Sequence, residues 1–350
     1  MGRHKDKDRH LPQRMRKKGR AFYHVATIDK KERWTPLGSD YARALMKWRD
    51  LEGLSEGAET IAKMLDNALC IMAATIKPST YREFARACNR LKIAFKGFAP
   101  EDVEPVHIGQ YLERRCDDEG KPAPVAANRE IAFFSSSWDL ARRRGWIKLP
   151  NPCAGIERNR EKQRKRVAKP GEIKALLFDE NGQARDCIEA DMVELTLRTG
   201  IREADMLHLK LTQLEEEGIR VKPRKTDAST EVEQVFEWDP DLKALMDRVK
   251  ARRRRVGSFY LFGTTRGPRA GQPYTSPSFY KVWKPYFEIC GVTGLTWHDL
   301  RRTAINAEEK LKGKDAAQKL AAHSSVTTTE GYLASVGAIK IRPLPIEYGK

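Results

Sequence analysis

Nowhere in the 350 residues do about eighteen apolar side chains run together, the length that a membrane-crossing helix needs, so no such helix is expected. Charges stand between Met1 and Arg20, where a secretory signal would need an apolar stretch, and a cytoplasmic protein is expected. Cysteine is sparse. The six thiols (Cys70, Cys88, Cys116, Cys153, Cys187, Cys290) show neither CxxC nor Cys/His ligand spacing, which argues against a zinc site and a disulfide framework. Reduced, mostly buried thiols follow. The acidic residues form no cluster with the spacing of a magnesium site, so no metal or other cofactor is expected, and no internal repeat marks a solenoid.

What the chain has in excess is positive charge. Lys plus Arg number 66 against 48 Asp plus Glu, a formal net charge of +18. A polyanion is the most economical partner for such an excess, nucleic acid ahead of an acidic membrane surface. The length fits two or three domains, and 40% hydrophobic residues suffice to fold them.

Composition shifts divide the chain. Residues 1–56 start densely basic, with Arg14, Arg16, Lys17, Lys18 and Arg20 as candidate DNA contacts. The aromatic and β-branched residues of "AFYHVAT" and "ERWTPLG" then predict a hairpin or three-stranded sheet, and Ala42, Leu45, Met46 and Leu51 one packing helix. Residues 60–155 carry helical apolar spacing in "TIAKMLDNALCIMA", "STYREFARACNRLKIAF", "EPVHIGQYLERR" and "AANREIAFFSSSWDLARRRGWI", about four helices. Ser79 and Thr80 offer an N-cap after Pro78, Gly145 stops the last helix, and Arg129 is a further candidate DNA contact. Residues 156–171 are nearly devoid of apolar side chains and read as a basic linker, with Arg164, Lys165 and Arg166 positioned to follow a phosphate backbone. A mixed α/β domain follows over 172–337: helices at Glu172–Phe178 and Ala184–Arg198, a strand–turn–strand around "GIRVKPRKTDASTEVEQVFEW", a helix ending in "ARRRR", and three more helical stretches. Residues 338–350 form a tail.

Four places in the mixed domain hold unusual polar residues: Arg202 and Asp205 in "LRTGIREADMLHL", Lys225 in "KPRKTDAS", His298 and Arg301 in "WHDLRR", and His323 and Tyr332 in "AAHSSVTTTEGYL". Singly each reads more readily as a surface, ion-pair or packing residue. Their order, Arg, Lys, His-x-x-Arg, His, Tyr, resembles the signature of the tyrosine recombinases, the phage integrase family, and the likeness extends from about Thr60 to Leu333. Asp205 stands where the family more often has Glu, and Ala322 where Gly usually precedes the second histidine. Residues 60–155 resemble the family's helical core-binding domain, and 1–56 its arm-binding module. The fold implied is mostly α, with a mixed α/β catalytic domain, a helical core-binding domain and a small N-terminal module of sheet plus helix.

The resemblance implies a DNA strand transferase whose residues suit the chemistry. An attacked phosphodiester gathers negative charge on two non-bridging oxygens, and two guanidiniums, here Arg202 and Arg301, clamp them with fixed donors. His298, three residues from Arg301 and so its neighbour on a helix, would share that contact and accept the tyrosine proton. Tyr332 would be the nucleophile, Lys225 the acid for the leaving 5′-oxygen, His323 a supporting donor and Asp205 an orienting group. Double-stranded DNA at core and arm sites is the implied partner, bound by a homotetramer, with an excisionase or DNA-bending protein as a possible accessory. Two rival readings are a type IB topoisomerase-like enzyme and a non-catalytic DNA-binding regulator. The ordered signature weighs against the regulator, and the separate N-terminal modules weigh against the topoisomerase. The tail after Gly337, with its alternating run Ala338–Leu344, is expected to dock on a neighbouring protomer.

Overall fold

The computed structural model describes residues 11–28, 31–52, 57–162, 164–222, 224, 233–254, 258–264, 267–321 and 339–346. The chain divides into two compact units, Met1–Gln163 and Arg164–Lys350. No helix among the described residues is long and apolar enough to cross a membrane.

In the first unit β1 (Met15–Lys18), β2 (Ala21–Ile28) and β3 (Lys31–Gly38) form an antiparallel sheet in chain order. Strand alternation sends Met15, Phe22 and His24 to the covered face and Arg16, Tyr23, Val25 and Trp34 to the other. The helix α1 (Tyr41–Leu51) follows, its first turn capped by Asp40, which accepts from Arg43 N at 2.8 Å. Its covered stripe is Tyr41, Ala44, Leu45 and Trp48, at helical spacing. Met46 and Leu51, expected in that contact, point off the stripe and are exposed.

The helices α2 (Ile61–Met72), α3 (Pro78–Ala94), α4 (Pro105–Arg114) and α5 (Pro124–Arg143) complete the unit. The cap of α3 lies two or three residues before the expected one. Pro78 itself opens the helix, with Lys77 as cap, so Ser79 and Thr80 lie in the first turn; proline suits the first position because the N–H it lacks would have had no partner there. At the far end Gly145, with φ 72°, follows the α5 cap and turns the chain away as its position implied. One apolar cluster joins Met15, Phe22 and Leu45 to Leu65, Leu91, Phe134 and Trp138. Each large side chain so buried contributes about 1.5–3 kcal/mol relative to exposure. Within that cluster the Tyr41 ring lies 5.1 Å from Phe22 and edge-on to Tyr81 at 5.0 Å.

The second unit is built around α7 (Ile188–Thr199), whose residues from Ala190 to Thr199 are buried with the exception of Glu194. It packs against α6 (Pro170–Leu177), α9 (Pro240–Arg254), α10 (Ser276–Ile289) and α11 (Trp297–Lys312). Its buried Asp191 is held by Arg248 and Arg252 of α9 at 2.8 and 3.0 Å. Such a pair is costly to break because the charge left behind has no water. The short α8 (Glu203–Leu207), the terminal α12 (Lys314–Ala321) and a small sheet complete the unit. In that sheet β4 (Gly218–Val221) pairs antiparallel with β5 (Gln234–Glu237), and β5 pairs parallel with β6 (Ile339–Ile341). Among the described residues the chain is mostly helical, with strands in two small sheets, as the sequence implied.

In this single chain the described part of the tail lies along the second unit's own sheet. Within this chain Ile339–Ile341 occupies the open edge of β5, Ile341 and Leu344 are buried, and Leu344 N donates to Arg198 O at 2.8 Å. The chain's own core is within reach of these apolar side chains, and it covers them. All six cysteines are free: Cys70, Cys88 and Cys153 are buried, Cys187 and Cys290 partly so, and Cys116 is exposed.

Candidate active site

Helix α7 ends at Gly200, which adopts the left-handed φ of 58° that glycine tolerates best. A Cβ there would also press on Leu320 at 3.3 Å, so the residue lets α7, α11 and α12 approach closely. The turn delivers Arg202 to the cap of α8, while α11 brings Arg301 inward on the buried stripe of Trp297, Leu300, Ala304 and Glu308. The two guanidiniums meet at one acceptor. Arg202 Nη2 donates to Ala321 O at 3.0 Å and Arg301 Nη2 to the same oxygen at 2.5 Å, while Arg301 Nη1 donates to Gly200 O.

Arg301 is only 4% exposed. Burial, and after it the neighbouring charge of Arg202, pull its guanidinium down to about 10, with Asp205 opposing. It therefore stays charged at neutral pH in a place that disfavours charge. Asp205 is the buried counter-ion, its carboxyl raised above the usual range by burial although Arg224 N and the arginines oppose the shift. Two guanidiniums against one carboxylate leave a net positive cluster, and a bound anion would offset the repulsion of two adjacent cations. Asp205 also accepts from Arg224 N at 2.9 Å, which ties the chain next to Lys225 to this cluster.

His298 sits one turn before Arg301 on α11 but is exposed where Arg301 is buried. The two are neighbours on the helix without sharing its covered stripe: Arg301 is buried and His298 exposed. Lys225, His323 and Tyr332 lie outside the described residues. Among the described residues no three His, Cys, Asp or Glu side chains gather in a group that could hold a metal ion.

The start of α11 is set by a residue whose partners are distant in sequence. Asp299, 0% exposed, accepts from Thr296 N at 2.9 Å and Thr296 Oγ1 at 2.8 Å, closing the first turn. It also takes both Nε and Nη2 of Arg164, at 3.0 and 2.7 Å, and Arg302 at 3.2 Å. Burial opposes ionisation, but these donors, Arg164 first among them, hold the Asp299 carboxyl below the usual carboxylate range. The spacing Thr296-x-x-Asp299 is a legible capping pattern; the arginine that completes it is not.

The basic stretch thus differs from a bare connector. Arg164 is committed to Asp299 and Gly294 O, and Arg166 to Glu172 at 2.5 Å and Gly294 O at 3.1 Å, while Lys165 is exposed. Desolvating an arginine is cheaper when a carboxylate and carbonyls receive its donors, and α11 with the turn before it supplies both. On the N-terminal sheet the other candidate DNA contacts separate by face. Arg14 reaches Glu52 at 3.4 Å, and Lys17 lies over the Phe22 ring at 5.1 Å. Lys18 and Arg20 are exposed, and Arg16 sits on the open face beside Tyr23. Arg129 is exposed and 3.3 Å from Glu161.

Comparison with solved structures defines the class of fold. The chain is similar to a lambda integrase tetramer bound to a Holliday junction, with a TM-score of 0.63, 20% identity, and coverage of 93% of this chain and 95% of that one. It is also similar to the Tn1549 transposon integrase in complex with circular intermediate DNA, with a TM-score of 0.60, 16% identity, and coverage of 77% and 93%. At these identities the likeness establishes the fold, that of the tyrosine recombinase integrases. No curated protein matches by sequence. Residues 166–337, which carry Arg202 and Arg301, match the phage integrase family.

Proposed function

We propose that this protein is a site-specific DNA recombinase that cleaves and rejoins strands through a 3′-phosphotyrosine, integrating the DNA of a phage or other mobile element. One observation carries the reading: two guanidiniums from separate helices converge on a single oxygen acceptor in a cluster of net positive charge. A scissile phosphate presenting its non-bridging oxygens there would receive fixed, charged donors whose strength grows with the charge of the transition state.

In this scheme the Tyr332 phenol, with an ordinary pKa of about 10, attacks phosphorus and passes its proton to His298. The phosphorus–5′-oxygen bond breaks, and the departing oxygen takes a proton from Lys225. The products are a 3′-phosphotyrosine and a free 5′-hydroxyl. Because the ester preserves the phosphodiester's energy, a 5′-hydroxyl from a second duplex reverses the step without ATP. His323 supports the phosphate, and Asp205 orients the pair and the residue before Lys225. Residues 172–337 hold the chemistry, 60–155 clamp the core site, and 1–56 engage separate arm sites through the open face of the sheet, with Arg16, Lys18 and Arg20 against phosphates. Four protomers on two duplexes, assisted by a directionality or bending factor, complete the assembly, which acts in the cytoplasm.

The test uses a nicked attachment-site duplex from which the 5′-hydroxyl fragment diffuses away. The protein should become covalently attached to the 3′ end in EDTA and without ATP, and Tyr332→Phe should abolish the adduct while DNA affinity is unchanged. An adduct formed by the phenylalanine variant would overturn the reading.

A further inference from the structure

Gln234 opens β5 and is 3% exposed, an unusual place for a primary amide. Its Nε2 donates to Lys319 O at 2.9 Å and Leu320 O at 3.2 Å. These are carbonyls of the last turn of α12, which have no partner inside the helix. The next carbonyl, Ala321 O, is the one shared by Arg202 and Arg301. Three side chains from β5, α8's cap and α11 therefore finish α12, and two of them are the proposed phosphate clamp.

The same residue meets the other end of the segment that follows. Gln234 stands opposite Ile339, the first residue of β6, in the parallel register of β5 and β6. Between Ala321 and Ile339 the sequence carries His323 and Tyr332. A single residue thus holds the helix end that precedes that segment through its side chain and the strand that follows it through pairing, and it does so beside the arginine pair.

We propose that Gln234 is a positioning residue for strand cleavage, fixing both ends of the segment 322–338 relative to Arg202 and Arg301. The proposal rests on Tyr332 being the nucleophile. Geometry explains why an amide is needed. A side chain of equal length without a donor takes from two carbonyls the donor that Gln234 supplies, and the end of α12 then loses that anchor. A displacement of about 1 Å between nucleophile and phosphorus is enough to cost on the order of a hundredfold in rate.

Gln234→Met preserves length and removes the donors. With the full-length protein and the nicked duplex, single-turnover cleavage should fall about a hundredfold, with DNA affinity changed less than about twofold. Hydrogen exchange should rise in peptides from 322–338 and stay unchanged in α7 and α9. Gln234→Asn, which retains the amide one methylene short, should lie between wild type and Gln234→Met in both readouts, and it serves if the methionine variant does not fold. Cleavage at the wild-type rate would overturn the proposal. So would an exchange increase spread over the whole second unit with weakened DNA binding, the mark of a merely structural residue. Failure of Tyr332→Phe to abolish the adduct would instead remove the nucleophile assignment, whatever the Gln234 variants do.

Discussion

Replacing Arg301 separates stability from chemistry in a way the structure specifies. Arg301→Ala deletes the donor to Gly200 O and one of two donors to Ala321 O, which retains Arg202 at 3.0 Å. One buried carbonyl is left unpaired, a cost of about 1–3 kcal/mol. Against that, the variant removes a desolvated cation held next to another cation, a placement unfavourable enough to pull Arg301 down to about 10. The two effects oppose each other, so the loss of folding stability should stay within about 2 kcal/mol. The chemical loss has nothing to offset it: removal of one positioned donor at the developing charge costs about a hundred- to a thousandfold in rate, about 2.7–4 kcal/mol. Arg301→Lys keeps the charge but cannot span Gly200 O, Ala321 O and a phosphate from one nitrogen, and it should recover only a minor part of the rate. Single-turnover cleavage of the nicked duplex, with melting curves on the same samples, measures both quantities. An Arg301→Ala protein that cleaves within tenfold of wild type while remaining folded would refute the assignment of Arg301 to the phosphate.

Three other outcomes follow from named interactions. Asp205→Ala removes the carboxylate that receives Arg224 N, the residue before Lys225; cleavage of an ordinary 5′-oxygen should slow more than cleavage of a 5′-bridging phosphorothiolate, whose sulfur leaves without a proton. Equal slowing of the two substrates would argue against a link to Lys225. Asp299→Asn should cost about 2 kcal/mol at neutral pH through weaker charge-assisted bonds to Arg164 and Thr296. Because the folded Asp299 carboxyl lies below its unfolded value, its stabilisation is full above about pH 4 and is lost as pH falls through the folded value, so wild type and variant should converge in acid melting curves. Arg16→Ala with Lys18→Ala should leave core-site cleavage intact and reduce the log–log salt slope of arm-site binding by about 0.9 for every phosphate no longer neutralised; an unaltered slope would remove the sheet from the DNA interface.

Much of this fold is written in local pattern. The 3.6-residue spacing of "STYREFARACNRL" and "AANREIAFFSSSWDLA" identifies α3 and α5 because each helix buries one stripe, and Gly145 and Gly200 mark ends that need positive φ. Arg202 and Arg301 stood out only through their order with the other polar residues, since nothing near either one shows that their guanidiniums share an acceptor. What escaped local reading depends on partners far along the chain. Arg164 looks like any member of a basic run until Asp299, buried at the start of α11, is folded against it. Gln234 lies in a short apolar strand and gains meaning only when α12 and β6 close around it. The β6 tail had the alternation of a strand, but alternation does not say whose edge it will join.

As the proposed nucleophile, Tyr332 would become the covalent carrier of a DNA 3′ end. Trapping the protein on the nicked duplex, digesting both components and locating the retained nucleotide by tandem mass spectrometry tests it directly. The nucleotide should be found as a phosphate ester on the peptide containing Tyr332. A nucleotide carried on a serine or on another tyrosine, or attached through a 5′-phosphate, would contradict it.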